Sequence, residues 1–115
     1  MLIRSQNKKY LVSTNNISFY VMDSEVICFG ISGIEDSDYI ILGHYETETK
    51  AMKVLDMIQE AYEEYKITCT FLTGFTGHRA IVESNDIRVN GFEELVKNFK
   101  KNMVFQMPED SEVEV

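Results

Sequence analysis

The densest group of chemically capable residues in the chain is GFTGHR at 74–79. Gly74 and Gly77 let backbone amides close around an anion. Arg79 can hold a phosphate through two parallel N–H bonds, and Phe75 offers a face on which a base can stack. His78 lies between them, and Arg88 and Asn90 follow on the next turn as further polar contacts. Together these types describe recognition of a small phosphorylated nucleotide rather than chemistry upon it. The same stretch equally suits a hairpin loop with a surface arginine, because one pair of glycines is a weak signal.

Catalytic patterns do not appear elsewhere. The chain has no HExxH, no Walker loop, no GxGxxG and no serine set with a histidine and an acid. Cys28, Cys69, His44 and His78 lack the spacing of a zinc site. The expectation is a protein that is not an enzyme, with no metal and no cofactor.

Acids form three groups: Glu35, Asp36 and Asp38; Glu60, Glu63 and Glu64; Glu109, Asp110, Glu112 and Glu114. Spaced carboxylates can imitate a phosphate backbone in a basic nuclease groove, although charge runs are more often simple solvation. The net charge of -8 argues against duplex nucleic acid or an anionic membrane surface as a direct partner.

The elements that must position these residues are short. Residues 47–65 carry the clearest pattern. Ala51, Val54, Leu55, Ile58, Ala61, Tyr62 and Tyr65 recur at threes and fours, which is one stripe of a helix. Thr47 suits the N-cap, and Glu48 the positive end of the dipole. Before it, 17–22 and 25–32 read as a hairpin turning at Asp23 and Ser24, and 39–45 as a strand entering the helix. After it, 67–73 and 78–83 read as a second hairpin. A second helix is expected near 92–101, on the stripe Phe92, Leu95, Val96 and Phe99. An end strand at 103–107 is closed by Pro108.

The sequence therefore predicts an α+β fold: a mainly antiparallel sheet of about six to eight short strands with two helices. It forms a single domain over 1–108, followed by a loose acidic tail at 109–115. Cys28 and Cys69 sit in apolar runs and read as buried thiols in a reducing compartment. With no apolar leader at the start and no run of about 20 apolar residues, the expected location is the cytoplasm.

Three pieces together, MLIRSQNKK, LGHYETETKAMKVLDMIQEAY and VFQMPED, resemble a loose family of small proteins encoded by phages and prophages of low-GC Gram-positive bacteria. These pieces are structural and carry no catalytic residue over. The resemblance implies a phage setting, with the infected host cell as location and a host-interaction or accessory role. By analogy with the Thoeris anti-defence sponges, it suggests a counter-defence protein that sequesters a cyclic nucleotide signal. Two alternatives stand beside that expectation. One is an acidic inhibitor of a host defence nuclease, mimicking nucleic acid as some anti-CRISPR proteins do. The other is a small phage structural or accessory oligomer. Hydrophobic residues make up 44% of the chain, including seven Phe, six Tyr and six Met. That exceeds what so small a core needs, so a homo-oligomer is expected, with ISFYVM and MVFQM as candidate contact strands.

Overall fold

A computed structural model of the protein describes residues 1–30, 38–73, 97 and 100–115. Among them, six strands and one long helix form an α+β fold. In chain order these are β1 (Leu2–Arg4), β2 (Leu11–Ser13), β3 (Ser18–Met22), β4 (Glu25–Phe29), β5 (Ile40–His44), α1 (Glu48–Thr73) and β6 (Val104–Gln106).

The strands form two three-stranded sheets, ordered β2-β1-β6 and β3-β4-β5. Three of the four pairings are antiparallel; β1 with β6 is parallel. In the first sheet Ile3 lies opposite Val12 on one side and Phe105 on the other, and all three turn inward. The second sheet is a meander. Met22 pairs with Glu25 across the two-residue turn, where Asp23 adopts a φ of 57°. That left-handed conformation is one Asp tolerates better than most residues. Between β4 and β5 the register shifts after Val26. Leu42 is the extra residue of this bulge, and it is buried.

Val26, Cys28 and Leu42 from the meander meet Ile3 and Val12 from the first sheet, and Ala51, Val54 and Ile58 from α1, in one core. Helix α1 begins as its sequence dictates. Thr47 Oγ1 accepts the Lys50 N–H at 3.1 Å, satisfying one of the first-turn amides that have no partner inside a helix. Its apolar stripe buries Ala51, Val54 and Ile58, while Ala61 and Tyr65 are half-buried and Tyr62 is exposed.

The helix does not stop near 65. It continues through 67–73, where the sequence predicts a strand, so the second hairpin loses its first strand. Ile67, Thr68 and Thr70 are β-branched, but that preference is worth only tenths of a kcal/mol per residue (about 0.5). Extending a nucleated helix adds a hydrogen bond for each residue fixed, and no Gly or Pro intervenes before Gly74. Thr68 adapts by donating its hydroxyl to Glu64 O at 2.9 Å. On this continuation Ile67 is 71% exposed, while Thr68 and Cys69 are half-buried. Of the second predicted helix, Lys97, Lys100 and Lys101 are described and are helical, as is Asn102. The predicted strand at 78–83 lies outside the described residues.

The stretch from Glu109, expected to be loose, is folded. Asp110–Glu112 form a 3-10 turn, and Val113 is buried.

Candidate functional site

Gly74, Phe75, Gly77, His78, Arg79, Arg88 and Asn90 all lie outside the described residues. What is described is the element that leads to them, since Gly74 follows the last residue of α1. A helix, rather than a β-strand, therefore delivers the chain to the glycine pair.

The best-defined polar cluster among the described residues joins three distant parts of the chain: the turn after β1, the β5–α1 junction and the segment after β6. Gln6 occupies its centre. Its Oε1 accepts the His44 N–H at 2.9 Å, its Nε2 donates to Pro108 O at 3.2 Å, and its own N–H donates to Leu42 O at 2.7 Å. The Tyr45 hydroxyl donates to the same Pro108 O at 2.9 Å. Nearby, Ser5 is fully buried; its hydroxyl donates to Asn7 Oδ1 at 2.7 Å and accepts the Tyr10 N–H at 3.0 Å. Gln106 Nε2 closes the arrangement on Ser5 O at 3.0 Å. These residues come from the SQNKK, LGHYE and VFQMPED stretches, and they spend their polar atoms on one another. The cluster is a clasp, with its capacity for a ligand already used.

Asp110 extends the clasp to the helix. Its Oδ1 accepts the Glu46 N–H at 2.7 Å, and its Oδ2 lies 3.1 Å from Lys50 Nζ. The main-chain bond from Glu46, and then the bond from the Lys50 ammonium, hold the Asp110 carboxyl below the ordinary aspartate range. The sign of the pH effect follows, because a depressed folded pKa favours the folded state where the group is ionised. The contribution is complete above the ordinary Asp value of about 3.9 and is lost as pH falls through the lower folded value. Thermal melts taken from neutral pH to about pH 2 should show Asp110→Asn less stable than wild type at neutral pH. The gap should narrow below about pH 4. A gap that stayed constant across the acid range would show that Asp110 carries no such linkage.

The third acidic group is thus partly committed inside the fold, for Glu112 Oε1 also accepts the Glu109 N–H at 2.9 Å. By contrast Glu60, Glu63 and Glu64 are exposed on α1. In the first group Asp38 is exposed, and Glu35 and Asp36 lie outside the described residues.

Among the described residues, two open hollows stand out. A groove of about 290 Å3 runs between β3 and α1, with Ile17, Phe19 and Ile58 as its floor and Thr14, Gln59 and Tyr62 as its polar groups. A second, of about 460 Å3, lies where β2, the turn at Asn15 and Asn16, and Gly30 meet. Neither lining includes a Lys, Arg or His, so neither supplies the cation that a phosphate requires.

Cys28 is buried, as its apolar run predicts, and burial pushes its thiol up from the ordinary range, which makes it a poor nucleophile. Cys69 is only half-buried, because the segment read as a core strand is part of α1. His44 is exposed, with Nδ1 3.6 Å from Glu25 Oε2. Among the described residues no cluster of His, Cys, Asp or Glu could hold a metal, and no helix is long and apolar enough to cross a membrane.

No sequence signal marks the clasp, because a single Gln in a polar turn and a single Asp in an acidic end have no periodicity. Set against protein-family models, curated proteins and solved structures, the chain matches none.

Proposed function

We propose that the protein sequesters a small phosphorylated nucleotide, a cyclic immune signal of the infected bacterial cell, and releases it unchanged. The proposed contacts are Gly74, Phe75, Gly77, His78 and Arg79, completed by Arg88 and Asn90. The observation that supports this is the composition of 74–79, which places amide donors, an aromatic face and a guanidinium within six consecutive residues. The setting comes from the resemblance to phage and prophage proteins. Because the chain carries a net charge of -8, long-range repulsion opposes a phosphate. The guanidinium must therefore act locally, where partial desolvation strengthens it.

The test is incubation with a panel of cyclic nucleotides and cyclic ADP-ribose isomers, followed by removal of free ligand, heating of the protein and identification of what is released. Intact ligand is the expected result. Release from none of the panel would end the proposal, and degraded products would make the protein an enzyme. Arg79→Ala should weaken binding by about 1.5–3 kcal/mol, the range for a charge-assisted hydrogen bond, with an unchanged melting temperature. An affinity equal to wild type would remove Arg79 from the site.

The exposure of Glu60, Glu63 and Glu64 on a helix favours one second reading, an acidic inhibitor of a basic nuclease. Capture of such a nuclease from a host extract, with binding that collapses as salt rises, would reverse the order of the two.

A further inference from the structure

The outward face of the β3-β4-β5 sheet is apolar where an antiparallel sheet exposed to water ordinarily alternates to polar residues. The register places Tyr20, Ile27 and Ile41 side by side across the three strands, on the side opposite the core residues Val26 and Cys28. Tyr20 is 55% exposed, Tyr39 44%, Ile41 43% and Met22 40%. Phe29 ties the surface together, edge-on to Tyr20 at 5.3 Å and to Tyr39 at 5.7 Å between ring centroids. Ile27 itself is only 1% exposed, so the exposed residues lie on β3 and at the start of β5, joined across the middle strand by Phe29, rather than as scattered side chains.

We infer that this face is the contact between two copies of the chain, packed sheet on sheet about a two-fold axis. Charge selects the occupant. On a chain of net charge -8, the strands of this face carry one acid, Glu25, which sits beside His44 at its end, and no Lys or Arg. A basic partner would find no counter-charge here, and a nucleic acid strand would find rings to stack on but no cation for its backbone. A second copy brings an equally flat and equally neutral surface. The outward face of the other sheet is a poorer candidate, because Arg4 and Gln106 interrupt Leu11 and Val104 there.

The geometry also chooses an axis. One lying in the interface and across the strands sets the Phe29 end of one sheet over the Met22 end of the other. The two Glu25 carboxylates are thereby kept apart. An axis along the strands would bring those carboxylates together. The face spans three strands of five residues each, which is small for a specific association, since such contacts bury at least about 1,000 Å2 in all. The dimer is therefore expected to be reversible and dependent on concentration.

Sedimentation or light scattering across a dilution series should give about twice the 13.3 kDa chain mass at high micromolar concentration. The combined variant Tyr20→Glu, Ile41→Glu should give the single-chain mass under the same conditions, a twofold drop. Leu11→Glu, on the other sheet, should leave the mass at the wild-type value. Wild-type protein needs no variant for the second measurement: the Ile27 and Ile41 methyl NMR signals should shift on dilution while those of Ile67, exposed on α1, stay fixed. A monomeric wild type at high concentration, a double variant that kept the doubled mass, a Leu11→Glu monomer, or Ile27 and Ile41 signals indifferent to dilution would each overturn the inference.

Discussion

Replacement of Tyr45 by alanine is expected to destabilise the protein by about 3–5 kcal/mol, as for other large aromatic deletions from a core. Tyr45 is 1% exposed and stands at the β5–α1 junction, where three contributions meet. Its ring fills space beside Gly43 so closely that a Cβ there would lie 2.8 Å from the Tyr45 hydroxyl. Its hydroxyl bonds Pro108 O, and its N–H donates to Ser24 O at 2.9 Å. Alanine keeps only the last. Phenylalanine keeps the ring and loses the hydroxyl bond, and Pro108 O retains the Gln6 donor. Tyr45→Phe should therefore cost only about 0.5–1.5 kcal/mol. Urea titrations of the three proteins measure both numbers, with the midpoint moving and the slope constant. If alanine cost no more than phenylalanine, the ring would not be what holds the junction.

The second large effect is expected at Ile3, on the middle strand of the β2-β1-β6 sheet. It has no exposed surface and is flanked on its own sheet by Val12 and Phe105. Ile3→Ala should cost about 2–5 kcal/mol, the range in which lost transfer energy and the residual cavity add. The spread reflects how far neighbours such as Met107 and Val12 can close in. Leu11, on the next strand and the opposite face, is 55% exposed. Leu11→Ala should stay within about 0.5 kcal/mol of wild type. Thermal or urea unfolding of the pair decides whether the inward face of this small sheet is core; equal costs at the two positions would say that it is not.

How far the sequence could be read depended on range. The β3–β4 hairpin and the start of α1 were legible because each is specified by neighbours: a two-residue turn at Asp23 and Ser24 between β-forming runs, and a threonine cap ahead of a stripe at threes and fours. The end of α1 was not. Residues 67–73 have strand-like composition, and only the helix already running into them overrides it. The partner of β6 was equally hidden, since nothing in VFQ names β1 as its neighbour. Apolar residues on both faces of the β3-β4-β5 meander made VICF look like one continuous run, so its outward half could not be told from its inward half. For the candidate ligand site, residue types alone were legible. A nest and its guanidinium depend on backbone torsions that composition does not encode.

The parallel pairing of β1 with β6 has a consequence for how the chain reaches its fold. Gln6 and Pro108 are bonded across 102 positions, and Leu2 N–H is held by Met103 O at 2.8 Å. During synthesis β1 emerges early, yet its second neighbour is made roughly a hundred residues later. Until then one edge of β1 offers unpaired amides and carbonyls to any passing strand. The β3–β4–β5 meander and α1 have all their mutual contacts available long before that. Contacts so distant in sequence close late, because the loop entropy must be spent before they return anything. Folding should accordingly run in two stages, with the meander and helix forming first and the first sheet sealed only when the last strand arrives.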